Sequence, residues 1–502
     1  MTHSQSDRPA TGRPPRPIHN AISTVGIILA ASSFFAALTL IAIDAVRGFA
    51  NPYLGILTYL VTPAFLIAGL ALVVLGIVVE RRRRRRRAPG DVPVHLRIDF
   101  GNPRHRRTFA VWSVVVFAFL LITAIGSYRA YHFTESVAFC GRTCHTVMQP
   151  EYTAYEHSPH ARVACVQCHI GPGAGWFVKS KLSGTYQVYA TLFDKYPKPI
   201  PTPVKNLRPA QQTCEQCHWP KAFYGEAERA NEHFLPDDAN TMWTIRLLLK
   251  VGGGDPERGE VGGIHWHMNI ADQVHYIATD SARQVIPWVR ITDRNGVSTV
   301  YQSEDAPLTA AQVDSAPPRL MDCIDCHDRP SHIYYSPTEA VNLSLSTGRI
   351  SDSLPGVKRL AVAALGVDYP TTEAALEAIE DSLTTAYRNE ADTAAVRRAI
   401  AEVQQVYRQN FFPAMHVSWK EYPNNIGHIR FPGCFRCHDG KHRSADGRVV
   451  SHECDACHVI IGQGAGPEAE TMSPQGLEFR HPIDIGGMWK QMPCTECHSG
   501  SS

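Results

Sequence analysis

Apolar positions are massed at one end of this chain and thinly patterned over the rest. Residues 21–43, AISTVGIILAASSFFAALTLIAI, form one nearly continuous apolar run, Tyr53–Val79 a second, and Phe109–Ser127 a third. A bilayer is spanned by about 20 apolar residues, so each run predicts a transmembrane helix. A cleaved secretory signal is the rival reading of the first run, which follows Arg8, Arg13 and Arg16. Its core is too long for that, and a second span comes almost at once. Eleven arginines lie between positions 81 and 107, seven of them consecutive from Arg81 to Arg87. Alone, such a tract would read as a solvated or nucleic-acid-binding patch. Between two apolar spans it is a positive-inside signal. It puts the N-terminus and the loop on the cytoplasmic side and the chain after the third span on the other. No nucleic-acid partner is expected.

Beyond residue 130 the pattern changes period. Trp176–Phe193 has helical periodicity and stops before the proline-rich Pro197–Pro203. The segments VHYIATD, VIPWVRITD and VSTVYQS are rich in β-branched and aromatic residues, and Asn295-Gly296 is a hairpin turn signal. Between 338 and 412, Leu376, Ile379, Leu383 and Tyr387 form one helical stripe, and Val396, Ile400, Val403 and Tyr407 another. Thr371 and Asp392 are suited to N-cap these helices, predicting a helical hairpin that serves as packing scaffold. The expected order is a polar tail (1–20), two transmembrane helices (21–79), an Arg-rich loop (80–108), a third transmembrane helix (109–131), a segment with three haem signals (132–220), a β-rich insert (221–322), a fourth signal (323–337), a helical insert (338–412) and a final segment with three more (413–502).

Those signals come from the cysteines. All 14 fall into seven pairs, each followed at once by histidine. The pairs are Cys140/Cys144, Cys165/Cys168, Cys214/Cys217, Cys323/Cys326, Cys434/Cys437, Cys454/Cys457 and Cys494/Cys497, followed by His145, His169, His218, His327, His438, His458 and His498 (sites 1 to 7). C-x-x-C-H attaches c-type haem: two thiols add to the vinyl groups and the imidazole ligates the iron. Chance would give roughly 0.02 such motifs in a chain of this composition, and six strict ones stand here. Disulfides would leave the trailing histidines unexplained, and zinc ribbons use cysteine pairs two at a time, which seven pairs do not fit. Seven covalently bound c-type haems are expected. Because haem is attached outside the cytoplasm, this puts residues from about 130 onward on the side that the arginines also indicate.

The second axial ligand decides what each haem does, since two histidines close the iron and give an electron carrier. The chain has ample histidines for this, and His160, His267, His332, His428, His442 and His481 are the expected second ligands, with His157, His265 and His452 as rivals. His265 and His267 fall in GGIHWHM, where a strand would present both on one face. Site 1 is different: Met148, three residues past His145, could ligate or simply pack against the porphyrin. Only about a dozen residues separate the third span from Cys140, so site 1 must lie near the membrane, within reach of a lipid-soluble quinol. Quinol oxidation needs a proton acceptor or hydrogen-bonding group beside the ring, for which Glu135, Glu151, Lys179 and Lys181 are candidates. Residues 130–502 carry 33 Lys and Arg against 42 Asp and Glu, an ordinary acidic surface that would also suit basic redox partners.

The apolar span before FCGRTCHTVMQPEY, then SPHARVACVQCH, WFVKSKLSG and TCEQCHWP, resembles the NapC/NirT family of membrane-anchored multihaem cytochromes over about residues 109–220. The later GGIHWH, MDCIDCHDRPSHIY and GCFRCHDGKH resemble its longer seven-haem inner-membrane branch in metal-respiring bacteria. The resemblance implies oxidation of menaquinol or a similar quinol at haem 1, and delivery of electrons to a periplasmic c-type cytochrome or other soluble carrier in anaerobic or extracellular respiration. It implies Met148 as ligand of haem 1 and Lys181 (or Lys179) at the quinol site. Shorter members carry an acid where this chain has Gln187, and their first motif is C-x-x-C-H where this chain has C-x-x-x-C-H. On an α-helix, positions i and i+4 still share a face. The fold expected is a multihaem cytochrome c, mainly α and irregular with a small β-rich insert and three N-terminal transmembrane helices, in a bacterial inner membrane with the haem domain facing the periplasm. The alternatives are a terminal reductase of the nitrite or hydroxylamine type, against which all seven motifs keep their histidine, and a haem-bearing anchor of a larger complex.

Overall fold

The computed structural model describes residues 20–47, 61–86, 101–107, 109–111, 114, 128 and 131–500, apart from 144, 205–206, 220–222, 224, 254–261, 269–271, 467–469 and 499. The chain divides into two compact units, residues 1–135 with 171–182, and residues 136–170 with 183–502.

In the first unit, α1 (Ala21–Arg47) and α2 (Thr62–Arg86) follow the first two apolar runs. Both contain a stretch long and apolar enough to cross a membrane, Ala21–Leu40 and Thr62–Arg83. The helices run antiparallel and touch backbone to backbone at their glycines. A Cβ on Gly69 would lie 2.6 Å from the Ala30 nitrogen, and one on Gly26 would lie 2.7 Å from the Gly69 oxygen. Apolar helices in lipid gain no hydrophobic energy by meeting, so close contact through small residues and hydrogen bonds holds such pairs together. Here the Ser23 hydroxyl donates to the Val73 carbonyl (3.2 Å) and the Asn20 amide to that of Gly76 (3.1 Å). Of the third predicted span, residues 112–113 and 115–127 lie outside the described residues, as do the tail before Asn20 and the arginine tract after Arg86.

In the second unit, site 1 opens with a π-helical turn, Phe139–Thr143, leading into α3 (His145–Glu156). A π turn holds about one residue more than an α turn, so the extra residue of C-x-x-x-C is taken up in a π turn where an α-helix was expected. Gly141 in this turn lies under the ring of Tyr152, where a Cβ would come within 2.1 Å. The helix expected over 176–193 is α4 (Ala174–Leu192), whose residues up to Leu182 belong to the first unit and the rest to the second.

The helical segment has four helices where a hairpin was predicted: α5 (Pro337–Ser346), α6 (Val357–Leu365), α7 (Thr372–Ala386) and α8 (Thr393–Asn410). Thr371 and Asp392 cap α7 and α8, accepting from the backbone N–H of Ala374 (3.2 Å) and Ala395 (2.8 Å). The two stripes meet in a core with Ile379, Leu383, Val403 and Tyr407 fully buried, to which α5 adds Val341, α6 adds Val357 and Leu365, and the connection between them adds Leu354.

The strands form two antiparallel sheets. One has the order β1 (Glu226–Phe234), β2 (Met242–Lys250), β8 (His458–Ala465), β9 (Thr471–Met472). The other runs β6 (Arg319–Leu320), β3 (Gln273–Ile277), β4 (Trp288–Thr292), β5 (Ser298–Ser303), β7 (His442–Ser444). The stretch predicted as a separate insert therefore does not close on itself. Its sheet edges are completed by strands from the C-terminal segment, which satisfies backbone groups that an isolated insert would leave bare.

Candidate haem centres

Each strict attachment motif folds into a single tight turn. The histidine N–H donates to the carbonyl of the first cysteine at sites 3, 4, 5 and 7, at 2.8, 2.8, 3.0 and 2.8 Å. Site 2 is a one-turn α-helix, Cys165–His169. Winding five residues into one turn brings the two cysteines and the histidine of a motif close together, as attachment to a single porphyrin requires. Cys144 and the His145 side chain lie outside the described residues, and Met148 is half-buried on α3.

The cysteine pairs read alike in the sequence, but the structure does not treat them alike. Cys217, Cys454 and Cys497 are exposed, while the other described cysteines are half-buried. Cys497 closes the 3-10 turn Cys494–Glu496 of site 7, its N–H donating to the Cys494 carbonyl at 3.1 Å. The turn fixes the backbone of Cys497 and leaves its side chain at the surface, between the exposed Glu496 and the half-buried His498. Its partner Cys494 is half-buried, and burial raises that thiol's pKa. Site 7 therefore has one half-buried and one exposed cysteine, as do sites 3 and 6.

Opposite five of these turns stands a second imidazole. Ring centres are 6.3 Å apart for His169 and His332 (site 2), 6.1 Å for His218 and His160 (site 3), 5.7 Å for His438 and His267 (site 5), 6.2 Å for His458 and His428 (site 6) and 6.1 Å for His498 and His481 (site 7). An iron bonded to two imidazoles at about 2 Å each, with each nitrogen about 1.1 Å from its ring centre, separates the centres by about 6 Å. The donor set and its spacing therefore fit bis-histidine haem. The second imidazoles are also oriented for it: Nδ1 donates to a main-chain carbonyl in His332 (Glu151, 2.9 Å), His160 (Pro330, 3.3 Å), His267 (Ile264, 3.1 Å) and His481 (Ile483, 2.7 Å). That leaves Nε2 for the metal. Burial depresses the His267 and His332 pKa to about 4 and lowers those of His169, His428, His458 and His498, favouring the neutral form that ligates.

His442 does not fit its predicted role. It is buried, with Nδ1 2.9 Å from the Asp439 carboxylate and Nε2 2.7 Å from the Ile286 carbonyl, so neither nitrogen is left for a metal. It pins β7 to its sheet. His265 is the histidine near site 4. It bears electrostatically on His327, and its Nδ1 donates to the Val251 carbonyl at 2.6 Å. The sequence offers it only as a rival, and the reason is local: alternation in GGIHWHM suggests a strand, whereas Ile264–His267 is a 3-10 turn. At three residues per turn, positions i and i+2 point about 120° apart, so His265 and His267 face two different sites instead of one. The other rivals have other surroundings: His157 is held by the Thr153 carbonyl and Gln409, and His452 packs beside Gly440.

The attachment loops follow one another in space. Cys140 hydrogen-bonds Cys165, Cys168 lies near Cys214 and Cys217, and Cys214 contacts Cys323. Cys326 lies near Cys434, and Cys434 near Cys457. Arg430, two residues after His428, bears on His498 of site 7.

In the first unit, Lys181 makes a 3.1 Å ion pair with the mostly buried Glu135, with the rings of Tyr131 and Phe177 5.4 and 5.1 Å from its ammonium. Lys179, two residues away on the other side of α4, is exposed and lies over Trp176 at 4.6 Å. Gln187 is exposed and donates to Ser183 (3.3 Å). It is six residues beyond Lys181, about 240° further round the helix. In the second unit, Glu151 is buried against Arg329 (3.6 Å), and burial raises its pKa. The structure thus pairs Lys181 with Glu135 and gives Lys179, Gln187 and Glu151 separate surroundings.

Apolar helices at one end and a series of paired histidines beside cysteine turns at the other define a membrane-anchored multihaem c-type cytochrome. Residues 103–200 match the N-terminal region of the NapC/NirT cytochrome c family. The cytochrome c-type protein ImcH of Geobacter sulfurreducens is 43% identical over 491 residues, covering 96% of each chain. The cytochrome c-type protein NrfH of Wolinella succinogenes is 28% identical over 121 residues, 23% of this chain and 68% of that one. The chain belongs to the NapC/NirT cytochrome c family. No solved structure matches it.

Proposed function

We propose that this cytochrome holds seven haems, oxidises a quinol of the menaquinol type at the periplasmic face of the membrane beside site 1, and delivers the electrons to periplasmic acceptors. The observation that carries the reading is the Lys181–Glu135 pair enclosed by Tyr131 and Phe177, on a chain where site 1 is tethered a dozen residues from an apolar run. When bound, the haems supply one-electron redox centres. Six of the sites take a histidine pair, with His332, His160, His265, His267, His428 and His481 completing sites 2 to 7 in that order, and Met148 serves site 1.

A quinol gives up two electrons and two protons on becoming a quinone. Lys181 is suited to donate a hydrogen bond to a quinol oxygen. The Glu135 carboxylate is suited to take one of the protons, and the other passes to water. Aromatic walls suit the apolar ring and keep bulk water from it. Lys181→Ala is expected to slow haem reduction by a menaquinol analogue by at least about tenfold, within the range that acid–base groups contribute. The dithionite-reduced spectrum should stay as in the wild type. Reduction at the wild-type rate would remove Lys181 from the site.

A further inference from the structure

Arg436 stands between the two cysteines of site 5 and is only 9% exposed. Its guanidinium is spent on three main-chain carbonyls: Nε on Gly433 (2.9 Å), Nη1 on Arg283 (2.9 Å) and Nη2 on Asp325 (2.6 Å). Asp325 stands between the two cysteines of site 4. One side chain therefore clasps the attachment loops of two successive sites. The Asp325 carboxylate turns elsewhere, to Tyr276 (2.6 Å), Arg283 (2.9 Å) and Arg319 (3.0 Å). Arg436 thus takes carbonyl oxygens as its hydrogen-bond partners, its charge also bears on the Asp328 carboxyl, and a guanidinium cannot escape burial by losing its proton. The 3-10 turn carrying His265 and His267 meets the same two sites, His267 facing His438 of site 5 and His265 bearing on His327 of site 4.

We infer that Arg436 is a positioning residue of the electron path: a fixed positive charge that binds loops 4 and 5 together and makes the haems held there easier to reduce. A cation close to a redox centre stabilises the added electron, and more strongly in a low-dielectric interior. Among the charges bearing on the site cysteines, Arg436 comes first for both Cys326 and Cys437, so it lies close to both loops. The inference rests on haem being bound at sites 4 and 5 and is independent of what reduces it.

The test is an equilibrium redox titration of the full-length holoprotein with chemical mediators, followed by visible and EPR spectra, with haem content measured alongside. In Arg436→Met, two of the seven haems should become harder to reduce, by about tenfold in the reduction equilibrium, which is about 59 mV for one electron. Arg436→Lys keeps the charge and should restore most of that shift. If Arg436→Met does not load haem, the neutral, hydrogen-bonding Arg436→Gln decides on the same titration. A fully loaded neutral variant whose titration matches the wild type overturns the inference, and so does a shift that lysine leaves unrestored. Neither result depends on quinol, so failure here is separable from failure of the quinol reading.

Discussion

An imidazole whose Nδ1 is held by a main-chain carbonyl has only Nε2 to offer a metal, and His160, His265, His267, His332 and His481 are all held in that way. His442 has both nitrogens engaged. The two cases predict opposite spectra. His265→Met should convert one low-spin bis-histidine haem to a different ligation, seen as loss of one EPR component at unchanged haem content. His442→Gln should leave every ligation as it was and cost stability alone, through its orphaned buried partners. A ligation change in the His442 variant, or none in the His265 variant, would reverse the assignment. The attachment motif stands out in the sequence because it is local, three residues of two types within five positions. What the motif does not encode is how deep each sulfur sits, which separates the exposed Cys497 from the half-buried Cys494 beside it. The second ligands were only partly legible. His332 reaches site 2 and His160 reaches site 3 across tertiary contacts that no spacing along the chain encodes.

At the level of elements, local signals translated well. The caps at Thr371 and Asp392 and the stripes behind them became α7 and α8 as read. What failed was non-local or irregular: the sheets borrow β7, β8 and β9 from distant sequence, and GGIHWH looks β-like by alternation yet turns as a 3-10 helix between glycines. The helical core also carries a cost. Lys358 on α6 is buried, with Nζ donating to the Thr338 carbonyl (2.8 Å) and Asn342 Oδ1 (2.7 Å). Burial first, and then the charge of Arg430, lowers its pKa to about 7 from 10.5. Between those values the unfolded chain binds more protons than the folded one, so Lys358 makes stability rise with pH across that window, while below about 7 its full penalty applies. Thermal unfolding followed by circular dichroism should show the wild type gaining on Lys358→Met from pH 7 to 9, by at most about 1.4 kcal/mol per pH unit. Parallel curves for the two proteins would show that Lys358 does not deprotonate on folding.

For the whole molecule, the order of sites along the chain is also their order in space, from Cys140 against Cys165 through to Cys434 near Cys457. That continuity favours an electron conduit over a terminal reductase, which needs an iron open to substrate, because sites 2 to 7 each have a second histidine facing or near the first. The apolar runs and the arginine tract made the membrane anchor legible from hydropathy alone, and α1 and α2 pack through the glycines that hydropathy cannot single out. The central claim is that quinol electrons enter this chain and reach its haems. The most direct test mixes the purified holoprotein anaerobically with a reduced menaquinone analogue and follows haem absorbance, with and without a quinone-site inhibitor. The account predicts inhibitor-sensitive reduction that spreads over all haems whose potentials lie above that of the quinol. Haems that lie above the quinol in potential yet stay oxidised in its presence, or reduction indifferent to the inhibitor, would contradict it.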